Sequence, residues 1–256
     1  MRRVLALSLI GALLGSGGAA QSRTPAAPSL TVFAASDLAF AFRELVPRFE
    51  KARGVTVTLV LGSTGNLARQ IEHGAPADLF FAADQSFVER LMARGVLIPE
   101  TQTLYAQGRI VLATAKRFGP KLNRLRDLVG PKVRRVAIAN PLHAPYGKAA
   151  EEALRAAGVW EAVQFKLVYG ENIRHALQFI QLGAAEAGIV ALSVANVPEL
   201  DWTPVEGGLY APLNQAAAVA ARSPHPELGV AFIDFVNAPE GRAIMRRFGF
   251  LLPGEF

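Results

Sequence analysis

The chain has 256 residues, 51% of them hydrophobic and 19% charged, with a formal net charge of +6 and no cysteine. That length buries one large core or two medium ones. The absence of thiols excludes a disulfide framework, a thiolate metal site, a cysteine nucleophile and a lipid-modified N-terminal cysteine.

In chain order, residues 1–20, "MRRVLALSLIGALLGSGGAA", carry Arg2 and Arg3, an apolar run and then small residues, the pattern of a secretory signal peptide. The run from Val4 to Leu14 is too short to span a bilayer, which takes roughly 20 apolar residues. Residues 21–29 read as a flexible lead-in, and export without a lipid anchor points to the periplasm. Without Arg2 and Arg3 the balance is 25 basic to 21 acidic residues. The basic residues crowd between Lys116 and Arg135 with Phe118 as the lone interleaved aromatic, which reads as a solvated face and not a nucleic-acid site.

Short β-rich runs then alternate with helical patterns. The spacing predicts a strand over Leu30–Ala34 and a helix over Leu38–Ala52, a strand over Val55–Val60 and a helix over Asn66–Glu72, and a strand over Leu79–Phe81 with a helix over Ser86–Arg94. Gly54, Gly74 and Gly95 stand where left-handed helix ends are expected, and Pro47 falls inside the first helix. A second series follows: "RIVLAT" from Arg109, "RRVAIAN", a helix from Tyr146 to Ala157, "FKLVY", a helix from Ile173 to Leu182, and "AGIVAL". The plan of "LTVFAASD" plus helix repeats in "RRVAIANPLHAPYG" plus helix. An α/β fold of two similar lobes is expected, each a mostly parallel sheet flanked by helices. Lobe 1 is expected over 30–108 with 222–256 and lobe 2 over 109–221, with strands at Arg109–Thr114 and Ala216–Ala221 as the two crossings of the hinge. The tail returns to helix.

The ends of strands that feed helices are where such folds bind ligands. Each turn presents helix N–H groups without internal partners, and the aligned peptide dipoles favour an anion there without Lys or Arg. The candidates are Ser36 with Asp37, Ser63 with Thr64, Ala83, Tyr146 with Gly147, and Asn172 with Ile173. Singly, Ser36, Asp37, Thr64, Asp84 and Asn172 are ordinary helix caps, so their convergence carries the argument. An enzyme is the competing class, since Ser36, Ser63 and Thr64 are possible nucleophiles and His73, His143, His175 and His225 possible bases. No G-x-S-x-G elbow or triad spacing supports it, and no histidine pair has metal-ligand spacing.

The stretches "VFAAS", "GSTGNLARQIEHGAPADLFFAAD", "ANPLHAPYG", "GIVALS" and "RRFGF" resemble the periplasmic molybdate-binding proteins of ABC transporters, over Leu30 to Pro253. The resemblance implies a two-lobed type II binding-protein fold, a monomer that binds molybdate or tungstate and delivers it to membrane permease subunits, and no cofactor. It places the oxyanion among Ser36, Thr64, Ala83, Tyr146 and Ile173, with Asp37, Ser63, Gly147 and Asn172 as secondary candidates. Tyr146 would donate in place of a tyrosine that some relatives carry where this chain has Ala191. Asp37, a carboxylate beside a dianion, is expected to turn away and cap the first helix. The alternative is that it accepts a proton from a monohydrogen oxyanion such as phosphate.

Overall fold

A computed structural model of the chain describes residues 27–256. The expected signal peptide and most of the lead-in lie outside the described residues.

The first half of the molecule begins with β1 (Ser29–Ala35), α1 (Ala39–Arg53), β2 (Thr56–Gly62), α2 (Thr64–Glu72), β3 (Leu79–Ala82), α3 (Gln85–Ala93) and β4 (Thr103–Gly108). The chain then crosses at Arg109 into β5 (Ile110–Ala115), β6 (Val136–Ala139), α4 (Pro145–Ala156), α5 (Trp160–Val163), β7 (Leu167–Gly170), α6 (Ile173–Gln181), β8 (Ala187–Ala191), α7 (Leu192–Ala195) and β9 (Leu200–Pro204). It returns through β10 (Leu213–Val219) to α8 (Pro226–Asn237) and α9 (Pro239–Arg247).

Two five-stranded sheets result, with orders β2-β1-β3-β10-β4 and β7-β6-β8-β5-β9. Each has four strands that run one way and one, β10 in the first sheet and β5 in the second, that runs against them, in the same sequence of directions. The expected internal likeness of the two lobes is thus present, and this is the two-lobed binding-protein fold. The sheets are mixed because β10 in the first and β5 in the second run against the βαβ units, while the other four strands of each point one way, as expected of mostly parallel sheets. Neither Thr103–Gly108 nor Leu200–Pro204 had a strong strand pattern, since each is partly exposed at a sheet edge.

The hinge expectation needs a correction. Ala216–Ala221 is not a crossing: β10 lies between β3 and β4 inside the first sheet. The chain crosses back between β9 and β10, so the boundary expected at 221 falls some residues late. The apolar run there reads as a buried strand, and periodicity cannot say to which sheet such a strand belongs.

Period-two side-chain alternation explains why the strands are apolar on both faces. In β1, Leu30, Val32 and Ala34 face α1, α8 and α9, while Phe33 faces α2 and α3. Leu79 and Phe81 of β3 share the first face, and Phe80 and Ala82 the second. On the first face Phe42, Phe49, Phe81 and Phe232 pack edge to face, with ring centroids 4.9–5.7 Å apart. Gly54, Gly74 and Gly95 end their helices at φ +64°, +90° and +68°, as the pattern required, and α1 continues through Pro47.

Candidate functional site

The carboxyl ends of β1, β2, β3, β6 and β7 bring five turns to one place between the sheets. Ala35, Ser36 and Asp37 follow β1; Gly62, Ser63 and Thr64 follow β2; Ala83 follows β3. From the other lobe come Ala144, Pro145 and Tyr146 at the start of α4, and Ile173 at the start of α6. These residues line one small, tight cavity of about 10 Å³. All five primary candidates, Ser36, Thr64, Ala83, Tyr146 and Ile173, are brought together, with Asp37 and Ser63 among them. Among the described residues, no Lys, Arg or His lines the cavity. A larger, open groove bordered by Asn123–Arg126 and Thr203–Glu206 lies elsewhere on the second lobe and contains none of the turn residues.

The polar groups around the cavity are tied to one another across the cleft. Ser36 Oγ donates to Asn172 Oδ1 at 3.2 Å. Asn172 in turn caps α6 by accepting from the N–H groups of Arg174 and His175, leaving that of Ile173 outside the cap. Thr64 Oγ1 accepts the Ala83 N–H at 3.1 Å, which leaves its own proton free to donate. Ser63 Oγ lies 2.8 Å from His143 Nδ1, and the Gly65 N–H donates to the His143 carbonyl at 2.8 Å. A Cβ at Gly65 would come within 2.8 Å of that carbonyl oxygen, so only glycine lets the two lobes meet there.

Two secondary candidates are placed differently from expectation. Asn172 touches the cavity only through Ser36. Gly147 sits on the far side of α4, where a Cβ would fall 2.1 Å from the Ala139 carbonyl oxygen; its role is to let α4 approach the end of β6.

The largest departure concerns Asp37. It makes no helix cap, since neither the short turn Ser36–Leu38 nor α1 has a side-chain cap. Its carboxyl is buried, at 1% exposure, in the cavity wall. Oδ2 accepts from Tyr146 Oη at 2.9 Å and from Gln215 Nε2 at 2.8 Å, while Oδ1 has no partner. Burial pushes its pKa up to about 6, against the lowering effect of Gln215, Tyr146 and the backbone N–H groups of Asp37 and Leu38. Tyr146, expected to donate to the ligand, here gives its proton to Asp37. Burial and the nearby Asp37 hold the Tyr146 hydroxyl well above its usual titration range.

Gln215 and Gly108 went unnoticed in the sequence. Gln215 is fully buried on β10 and bonds both Asp37 and Tyr146. A Cβ at Gly108 would stand 2.1 Å from Tyr146 Oη and 2.8 Å from Gln215 Nε2. The lone polar side chain in "LNQAAAV" was the available signal for Gln215. Nothing in the local pattern marked Gly108.

A family model described as bacterial extracellular solute-binding protein matches residues 30–251. The chain belongs to this solute-binding family. Among its relatives, the molybdate-binding protein ModA of Azotobacter vinelandii is 33% identical over 95% of this chain and 97% of its own length. ModA of Escherichia coli K12 is 33% identical over 87% of this chain and 89% of its own. The solved structure of the Azotobacter vinelandii periplasmic molybdate-binding protein superposes with a TM-score of 0.82 at 29% identity, covering 88% of this chain and 99% of that one. A sulfate-binding protein of Mycobacterium tuberculosis shares the fold at 19% identity and a TM-score of 0.74. In this chain the cavity between the lobes is lined by the residues named as candidates from the sequence. It also explains "RRFGF": Gly249, at φ +90°, offers its carbonyl to the guanidinium of Arg109 at 2.7 and 2.9 Å, fastening the tail to the crossing between lobes.

Proposed function

We propose that the protein binds molybdate or tungstate between its lobes, in the periplasm, and hands it to the permease subunits of an ABC importer without chemical change. One observation carries the reading: five strand-to-helix turns, with hydroxyls at Ser36, Ser63 and Thr64, converge on a small cavity lined, among the described residues, by no cation. Tetrahedral oxyanions near neutral pH offer acceptors on every side, so a cage of neutral donors suits them. It also avoids the desolvation cost of burying Lys or Arg. Ligand-binding roles follow for Ser36, Thr64, Ala83 and Ile173. Relatives that are 33% identical to this chain carry molybdate-binding names.

Catalysis has weaker support. Ser63 and His143 are in contact, but Glu171 lies 3.9 Å from His143 Nε2, beyond a hydrogen bond, so the pair lacks an orienting group. The Ser63–His143 contact joins the two lobes and acts as a closure contact. A monomer that needs no cofactor and no nucleic acid completes the reading.

A second reading rests on Asp37. A buried carboxyl with a free oxygen in the cavity wall would suit a monohydrogen oxyanion such as phosphate. Titration calorimetry of the purified protein against molybdate, tungstate, sulfate and phosphate separates the two. Tight binding of molybdate or tungstate is expected, with sulfate and phosphate weak; binding of phosphate alone would overturn the assignment.

A further inference from the structure

Within the molybdate or tungstate reading above, we propose that Asp37 joins the cage as a neutral carboxylic acid, donating an Oδ1 proton to the bound dianion, so that the site takes up one proton with each anion.

The geometry singles out Oδ1. Tyr146 Oη and Gln215 Nε2 both donate to Oδ2, and Oδ1 is the carboxyl oxygen left without a partner. A proton placed on Oδ1 leaves both of those bonds intact and turns the one repulsive group of the cavity wall into a donor, like the hydroxyls around it. The molybdenum or tungsten stays within its own oxygen shell, and the only bond made is O–H, with the proton drawn from solvent.

The groups facing Asp37 leave no other way to balance charge. Tyr146 on α4 and Tyr105 on β4 stay neutral, their pKa values held well above 10 chiefly by burial and also by Asp37 itself. Gln215 on β10 and Ser193, which donates to the Asp37 carbonyl from α7, do not titrate. Among the described residues, no cation lines the cavity. An ionised Asp37 would therefore meet the dianion unscreened in a water-poor site, where charges interact far more strongly than in water. Protonation costs much less. Asp37 titrates at about 6, and one pH unit corresponds to a factor of about ten in affinity.

Hydrogen phosphate would behave in the opposite way, bringing its own proton to an ionised Oδ1 and taking none from solvent.

The test is titration calorimetry with molybdate from about pH 5.5 to about pH 8.5, in pairs of buffers of different ionisation enthalpy, on the wild type and Asp37→Asn. For the wild type, affinity should be flat below about pH 6 and fall about tenfold per unit above it, with close to one proton taken up per anion at pH 8. Asp37→Asn should lose that slope and that uptake and bind more tightly than the wild type at pH 8. A wild-type affinity that does not change with pH, with no proton uptake, overturns the proposal whether or not the variant folds. So does an uptake that persists in Asp37→Asn. Binding of phosphate without uptake, lost in Asp37→Asn, would overturn both this proposal and the molybdate reading; molybdate binding without uptake would overturn the proposal and leave that reading standing.

Discussion

Asp37 also makes a prediction about the protein without any anion. Its pKa rises from an ordinary 3.8 to about 6 on folding, because burial disfavours the charge. Between these values the folded state holds more protons than the unfolded one, so this group's contribution to stability is fully present below 3.8 and is lost as pH rises through about 6. At pH 8 both states are ionised and the contribution has gone. At pH 5 the folded carboxyl is mostly protonated and the unfolded one mostly ionised, a difference of about 1.4 kcal/mol. Asp37→Asn cannot titrate, so its stability should fall less than that of the wild type between pH 5 and pH 8, by about that amount. The comparison cancels whatever constant cost the new amide brings. It also cancels Asp127, Glu186 and Glu255, whose lowered pKa values are common to both proteins. Urea unfolding of both proteins at the two pH values measures it, provided each unfolds in one step. Parallel pH dependence would show that Asp37 is not desolvated as the cavity wall requires.

Two other substitutions test the remaining walls of the cavity. Thr64 Oγ1 accepts from Ala83 and has its own proton to offer, and a hydrogen bond to a charged group contributes about 1.5–3 kcal/mol; Thr64→Ala should weaken molybdate binding roughly tenfold to 150-fold in calorimetry, and Thr64→Ser should be nearly silent. Gly108→Ala would force Tyr146 and Gln215 apart, so thermal unfolding should show a loss of about 1–3 kcal/mol, whereas Gly207→Ala, whose Cβ meets open space, should stay within about 0.5 kcal/mol.

The sequence carried the turns well, because each is announced locally: an apolar strand, a hydroxyl or small residue, then a helical period. That is why the turns could be located and why they share one cavity, and the family resemblance then picked out Ser36, Thr64, Ala83, Tyr146 and Ile173 within them. What it could not carry was pairing between distant segments. Asp37 and Gln215 are 178 positions apart, and Asp37 and Tyr146 are 109. A capping role is the ordinary inference for an aspartate before a helix, and only the approach of β10 and α4 removes it. The place of Ala216–Ala221 was lost for the same reason, since a strand buried on both faces carries no mark of its sheet.

These distant pairings also connect the site to the hinge. Asp37 and Gln215 belong to the first sheet and its turns, while Tyr146 belongs to the second lobe, so the Tyr146–Asp37 bond exists only when the lobes are together. Ser36–Asn172 and Ser63–His143 span the same divide. Gly108 ends β4 immediately before the crossing at Arg109, and its bare Cα is what lets Tyr146 reach Asp37. Separating the lobes would take one donor from Asp37 while giving its carboxylate access to water. Water solvates the charge better than a buried tyrosine and glutamine do, so opening favours the ionised carboxylate and closure the neutral acid. A dianion seated against Asp37 pushes in the same direction as closure, so lobe closure, proton uptake and oxyanion capture reinforce one another through a single buried carboxyl.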